Sequence, residues 1–427
     1  MKVIAPEVSG RLAEAADGQV REAGSDDVVD GMPARWVVSP RDAAAVSRVM
    51  AAAYDLGLAV VPRGAGTRLS WGARPDPLDV ILDLGPLDEL VEHTPGDLVA
   101  VVQAGLRLDD LEKRLAEAGQ RLAVDPPRRG TVGGLVASAA TGPVRLSAGP
   151  VRDLVIGVTM VRADGVLAKA GGKVVKNVAG YDLGKLLTGS FGTLGVITQV
   201  ALRLHPVTEV SRWASVPVRS AQEAQAMVLR VAHSQLVPSG CELDWRDGSG
   251  ELAVRVDGLT HGVEDHIALA LELLGPQSAG SSSAPEWWGT EPAGEVLLKV
   301  THEVASLAAV LEAAHGLAVR GSAAVGTLYA SVPPADGSTG TNGRNDADRP
   351  ENGVGARRAG SAADVVARLR AAAPSFGGAV VVLEAPAEVK AAVDVWGPVR
   401  GLDLMRRVKD QFDPTRVLSP GRFVGGI

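Results

Sequence analysis

Lys176-Asn177-Val178-Ala179-Gly180-Tyr181-Asp182-Leu183, continued by Gly189-Ser190-Phe191-Gly192-Thr193-Leu194-Gly195-Val196-Ile197-Thr198, is the stretch whose reading decides the fold. The two runs hold four glycines and several small hydroxyl or amide residues, set around a short amphipathic turn between apolar segments. Glycine lets a backbone pass close to a large, flat, polar ligand. The stretch therefore reads as the bed of a cofactor.

Two further glycine-bearing segments lie upstream. Arg63-Gly64-Ala65-Gly66-Thr67-Arg68 follows directly on the apolar run Leu58 to Val61. At such a strand end, successive backbone N–H groups can converge on a diphosphate. No Lys-Ser/Thr pair follows, which excludes a P-loop, and the glycine spacing is not that of the dinucleotide fingerprint. Alone, a Gly-Ala-Gly turn is more often structural. Its place after an αβ pattern, with two more glycine segments downstream, reverses that. The second segment is Thr131-Val132-Gly133-Gly134-Leu135-Val136-Ala137, followed by Ala140-Thr141-Gly142-Pro143.

The long signature resembles the FAD-binding subunits of bacterial glycolate oxidase, within the larger flavoprotein family of vanillyl-alcohol oxidase and p-cresol methylhydroxylase. The resemblance implies an α+β fold: a two-subdomain p-cresol methylhydroxylase-type FAD-binding domain plus an α+β, ferredoxin-like cap domain. It implies that three segments wrap FAD. On this sequence the matching positions are Arg63, Gly64, Ala65, Gly66, Thr67 and Arg68; then Thr131, Gly133, Gly134 and Gly142; then Gly195, Val196 and Ile197. Some family members tether the flavin through a histidine in the first loop. This loop has none, so the resemblance implies non-covalent FAD. The closing Asp413-Pro414 and Ser419-Pro420-Gly421-Arg422 resemble the family's end, where an Asn usually precedes Pro-Gly; Ser419 takes that place here. Residues 30–210 carry the likeness well, the last thirty moderately, and the middle weakly.

What the resemblance implies about function is the FAD-binding subunit of a glycolate oxidase complex, oxidising the small 2-hydroxy acid glycolate to glyoxylate. Its partners would be a catalytic flavin subunit and an iron–sulfur subunit that carries the electrons away. The catalytic flavin subunits carry a His-x-Gly-Asp/Glu-Gly-Asn-x-His motif that this chain lacks. No catalytic residue is assigned on that basis, and the chain reads as holding a second FAD as an electron relay. A stand-alone FAD-dependent hydroxy-acid or alditol oxidoreductase is the rival reading. It needs a carboxylate clamp, for which Arg212, Arg246, Arg255 and Arg320 are candidates. A scaffold with an empty bed is the third.

Length and composition agree with these readings. At 427 residues two or three domains are expected. Hydrophobic residues make up 46% and aromatics only 3%, so Ala, Val and Leu must fill the cores. A net charge of −7 without a basic run argues against nucleic-acid binding. A single cysteine, Cys241, excludes an internal disulfide and a cluster held by this chain alone. Neither a signal peptide nor an apolar run of the roughly 20 residues a bilayer requires is seen. The expected location is cytoplasmic, with any membrane association made through partners and none by direct insertion.

The expected organisation is an N-terminal segment 1–30, an FAD-binding domain 31–207, a cap 208–395 and a C-terminal segment 396–427 returning to the FAD-binding domain. Asp42 and Gly57 bracket a helix; 58–61, 80–84 and 98–103 read as strands. Residues 153–170 read as a hairpin turning at Ala163-Asp164-Gly165. In the cap, strands are expected near 251–256, 296–301, 323–332 and 378–383, with helices near 219–233, 262–274, 303–315 and 363–373. The Gly/Ser/Asn/Asp/Pro-rich stretch 334–361 reads as a flexible insertion. His261 and His266, five apart, point in different directions on a helix and share no metal. His261 is expected in the turn before the helix and His266 on its wet face. His302 and Glu303 are expected in an exposed first turn. Trp287-Trp288 reads as a loop anchor or partner contact, and Trp396 as core or cofactor cover. Lys176, Asn177, Tyr181 and Asp182 are candidates for contact with the cofactor or a neighbouring subunit.

Overall fold

A computed structural model describes residues 5–172, 182–332 and 354–427. Lys176, Asn177, Tyr181 and residues 334–353 lie outside the described residues.

The first subdomain is a four-stranded sheet in the order Val20–Glu22, Trp36–Val38, Val80–Asp83, Val60–Arg63. Its last three strands run parallel, so both faces need covering. Helix Ala43–Leu56 covers one face because Val46, Val49, Met50 and Ala53 recur at helical spacing, all fully buried. Asp42 caps its start, accepting from the Ala45 amide at 2.7 Å, and Gly57 ends it at φ 64. The C-terminal stretch joins the same sheet beside Val60. The Val60 amide donates to Val417 O at 2.7 Å, and Ser419 N donates to Val60 O at 2.9 Å.

The second subdomain is a five-stranded antiparallel sheet in the order Leu167–Gly171, Val155–Val161, Val196–Arg203, Val99–Gln103, Leu90–Thr94. The 153–170 hairpin is present, turning at Gly165 with φ 83.

The cap is an eight-stranded antiparallel sheet in the order Ala279–Ser281, Val210–Val218, Ser249–Gly258, Gly240–Arg246, Ala318–Ser322, Thr327–Val332, Val296–Thr301, Ala379–Glu384. Along the chain it is two β-α-β-β-α-β units, each a ferredoxin-like split βαβ. They join edge to edge where Gly240–Arg246 pairs with Ala318–Ser322. The cap is thus the ferredoxin-like architecture used twice. Its helices pack on one face, over Leu243, Leu252, Leu298 and Leu328.

Three details differ from expectation. Helix Val354–Ala372 begins inside the 334–361 stretch, so the end of that stretch is helical. His302 is buried at 7% exposure, because Thr301 closes a strand and the chain turns inward; its Nδ1 lies 2.8 Å from Glu303 O. His261 lies inside the first turn of helix Thr260–Leu274, and His266 is half-buried rather than wet.

The cap is tied to the first subdomain by polar contacts. Lys390 pairs with Asp30 at 2.7 Å and donates to Gly72 O at 2.9 Å, while Ser70 donates to Glu384 at 2.8 Å. The last helix, Leu402–Phe412, is anchored by a fully buried ion pair, Lys409 with Asp413 at 2.6 Å.

Candidate functional site

A cleft runs along the seam between the two subdomains of the first domain, at the carboxyl ends of the parallel strands Val60–Arg63 and Val80–Asp83. Open sheets with parallel strands place ligands there. One wall is Gly64 to Leu69; the other is Ala104, Thr131, Gly133, Gly134, Ala137 and Ser138. Gly192, Gly195, Ile197 and Arg422 close it, around about 790 Å³ of empty space including the mouth.

Ten of the thirteen sequence-predicted residues come together here: Gly64, Ala65, Gly66, Thr67, Arg68, Thr131, Gly133, Gly134, Gly195 and Ile197. Three do not line the cleft. Arg63 is turned away into ion pairs with Asp27 at 3.1 Å and Asp83 at 3.0 Å. A hydrogen bond from Arg21 holds the Asp27 carboxyl well below the usual carboxylate range, so that cluster stays charged. Val196 points into the core behind the strand, with no exposure. Gly142 lines a separate chamber against the cap.

Gly64 and Gly133 are sterically required: a Cβ on Gly64 would fall on the Thr131 hydroxyl and one on Gly133 would approach Ala104 Cβ to 2.7 Å, whereas one on Gly195 would meet the flexible end of Met160. Gly66 holds φ +75, where an L side chain is strained. Thr131 caps the short helix Val132–Ser138, which was expected only as a glycine-rich run. The cleft floor is therefore bare backbone.

Arg422, Phe191 and Ser138 also line the cleft. Sequence reasoning did not place them there, although the quoted Ser-Pro-Gly-Arg and Gly-Ser-Phe-Gly runs held two of the three. Phe191 adopts φ 55 and Ser419 φ 45, strain that non-glycine residues seldom carry. Phe191 is braced edge-on by Trp396, with ring centroids 5.0 Å apart.

Two cations meet at the cleft. Arg422 is 3% exposed and Arg68 8%, and burial pulls each guanidinium down to about 10. Among the described residues neither forms an ion pair. Arg68 Nε and Arg422 Nη1 are buried without a hydrogen-bond partner. Buried charge is costly unless paired. Together with the bare backbone, these orphaned donors fit an elongated, doubly anionic group such as a dinucleotide diphosphate.

The cap turns its second face toward this domain; Leu297 and Leu383 there join the second subdomain's core, and a polar stretch lies beside them. Cys241, Leu243, Leu328 and Ala330 point into the cap core, so their neighbours Glu242, Ser322 and Tyr329 point the other way. Alternation of this kind normally marks a wet face. Here it is covered: Glu242 is 3%, Ser322 7% and Tyr329 6% exposed. Burial pushes the Glu242 carboxyl up to about 8 and the Tyr329 phenol upward, and pulls the Lys299 ammonium down to about 8. Cys241, behind Glu242, is pushed up by burial to about 12.

Of the four candidate arginines, Arg212 pairs with half-exposed Glu264, Arg246 is exposed, and Arg255 lies against Asp257 and the Trp213 ring. Arg320 reaches inward: Nε to Asp244 at 2.7 Å and Nη1 to Thr290 Oγ1 at 2.5 Å. Trp288 packs on Gly240 and Pro143, and Trp287 Nε1 donates to Glu251 at 2.8 Å, so the pair is a loop anchor.

The FAD binding domain family matches residues 34–171, and the FAD linked oxidases, C-terminal domain family matches 396–423. An uncharacterized FAD-linked oxidoreductase of Mycobacterium tuberculosis is 26% identical over 94% of this chain and 93% of its own length. The glycolate oxidase subunit GlcE of Escherichia coli is 36% identical over 47% of this chain and 54% of its own length, so the chain spans about half of that relative. Among solved structures, an alkyldihydroxyacetonephosphate synthase superposes with a TM-score of 0.70 at 16% identity, covering 99% of this chain and 86% of that one. That likeness extends the fold over the whole chain.

Proposed function

The chain is an FAD-dependent oxidoreductase, and from that premise we propose that it is the FAD-binding subunit of a complex oxidising a small 2-hydroxy acid, glycolate to glyoxylate. The observation that carries the reading is the cleft itself. Its glycine-floored walls and two buried arginines, without an ion partner among the described residues, suit a dinucleotide diphosphate, with most of the cleft's lining inside the stretch that matches the FAD binding domain family.

Backbone N–H groups of Gly64 to Thr67 would receive the diphosphate, with Arg68 and Arg422 neutralising it. Gly133, Gly134 and Gly195 keep side chains out of the floor, and Phe191 with Trp396 shields one end from water. No histidine lies in the first loop, so the cofactor is held without a covalent bond. FAD, when bound, supplies the hydride-accepting ring. In this reading electrons leave through an iron–sulfur partner, since one buried cysteine cannot hold a cluster in this chain.

A stand-alone hydroxy-acid or alditol oxidoreductase is the second reading. The buried polar face of the cap favours it, since a pure relay has no use for such a wall.

The deciding experiment is an absorption spectrum of the purified chain before and after anaerobic glycolate. A flavin band that stays oxidised until a partner is added supports the subunit reading. Bleaching of the lone chain supports the stand-alone reading. A colourless chain that takes up no added FAD refutes both.

A further inference from the structure

We propose that the chamber between the Thr141-Gly142-Pro143 loop and the cap sheet receives the hydroxyl-bearing carbon of a small hydroxy acid, and that Glu242 is the base that takes the hydroxyl proton. This rests on the second reading above, in which the chain oxidises the acid itself, and adds the residue that performs it.

Position comes first. Glu242 lines the chamber together with Ser322, Thr327 and Tyr329 from the cap, facing Thr141 and Gly142. The chamber's roughly 270 Å³ of empty space includes the open mouth, and the closed part is about the size of one water, so only the hydroxyl end of a short acid enters it. It lies beside the cofactor cleft: Arg68 in the cleft wall donates to Arg128 O, and the preceding residue, Pro127, lines the chamber.

The chemistry of the lining comes second. Ser322 donates its hydroxyl to Glu242 Oε1, which fixes the carboxyl and leaves Oε2 in place for a ligand. Nothing in the fold requires an acid at this position. The same strand pair could bury apolar side chains here at no electrostatic cost, so a buried carboxyl calls for another reason. Burial, with Asp125 nearby, raises Glu242 to about 8, close to the pH at which a general base works best. Arg320, already paired with Asp244 at 2.7 Å, donates its Nη1 to Thr290 Oγ1 and so fixes Thr290 in the chamber wall.

The balance is a two-electron oxidation. The substrate O–H bond breaks and its proton goes to Glu242. The adjacent C–H bond breaks and its electron pair leaves as hydride, with bound FAD as the oxidant. A C=O bond forms, giving a 2-oxo acid.

The test uses the FAD-loaded chain, Glu242→Gln and Ser322→Ala, each checked first for its flavin band. Glycolate binding is measured by calorimetry and anaerobic bleaching by stopped flow across pH. The expected result is that Glu242→Gln keeps FAD and binds glycolate within about threefold of wild type, while bleaching slows about 100-fold or more. Ser322→Ala should bleach about tenfold more slowly, with its pH midpoint displaced. Bleaching of Glu242→Gln at the wild-type rate overturns the proposal. Should that variant lose its flavin, wild-type bleaching with an unshifted midpoint in Ser322→Ala overturns it instead. A yellow wild-type chain that neither binds nor is bleached by glycolate also removes Glu242 as base, yet leaves the FAD-subunit reading standing. A colourless wild type removes both.

Discussion

Gly64 and Thr131 meet across the seam between the two halves of the FAD-binding domain, so closely that a Cβ on Gly64 would occupy the place of the Thr131 hydroxyl. That hydroxyl also accepts from Gly134 N at 3.3 Å, so one atom positions both walls of the cleft.

Gly66→Val and Gly134→Val should therefore abolish FAD retention. At Gly66 a β-branched residue is forced to φ +75; at Gly134 the added carbon comes within 3.2 Å of Thr131 Oγ1. A loss of FAD affinity of about 100-fold, or about 3 kcal/mol, is expected in equilibrium dialysis. Full flavin occupancy in both variants would show that the cofactor bed lies elsewhere.

Arg68→Met separates binding from stability. Among the described residues the cation has no ion pair, but it donates to Arg128 O and lies 5.5 Å over the Trp71 ring, so replacing it should cost the flavin-free chain about 1–2 kcal/mol. FAD affinity should fall about 10- to 100-fold. Parallel titrations in urea and in FAD read the two effects. A large loss of stability with unchanged affinity would make Arg68 a structural residue.

Glu242 makes stability depend on pH in a stated direction. Its folded value, about 8, lies above the ordinary 4.5, so the folded chain holds this proton more tightly than the unfolded one. The associated stability is full below about pH 4.5 and is lost as pH rises through 8. Glu242→Gln should remove that loss and exceed wild type by on the order of 3 kcal/mol at pH 9. Asp125, pushed to about 6 by burial, acts in the same sense over a lower window, and the variant leaves that part intact. Cys241, behind Glu242, and Tyr329, which lines the chamber with it, are both pushed upward by burial and stay neutral across this range. Denaturant midpoints from pH 5 to 9 give the comparison, and parallel curves would show that Glu242 ionises as freely as in water.

Lys409→Met leaves Asp413 charged with no exposure, and it removes hydrogen bonds to Thr193 O at 2.7 Å and Leu418 O at 2.9 Å. A loss of about 3–5 kcal/mol is expected in urea unfolding. The double variant Lys409→Met/Asp413→Leu should not recover all of it, because Asp413 also receives the Val417 and Leu418 amides.

The first domain was legible because its signals are local. Asp42 and Gly57 bracket one helix with a cap at each end, and the glycine segments line the cleft. The 163–165 turn fixes a hairpin for the same reason. The cap was less legible. Strands Val210–Val218 and Gly240–Arg246 were not anticipated, since Arg212, Trp213, Glu242 and Asp244 interrupt their apolar runs. One of these interruptions, Glu242, lines the chamber. Alternation shows that one side of a strand is wet or polar; it does not show that another domain will cover that side. Val196 was misassigned to the cleft for a related reason: period two sends it opposite to Gly195 and Ile197.

The doubling of the cap has a consequence for how the oxidising centre exists at all. Glu242 belongs to the first β-α-β-β-α-β unit and Ser322 to the second, and they face each other in register where the units join. The joining segment, residues 282–295, supplies Gly289 and Thr290 to the same chamber. The arrangement is that of a twofold dimer with a composite centre on its axis, except that the two halves are one polypeptide. Two copies of a lone unit would have to find each other before such a centre formed. Here the tether makes that encounter intramolecular, and the fused copies are free to diverge, so that one keeps the acid and the other keeps the hydroxyl that orients it.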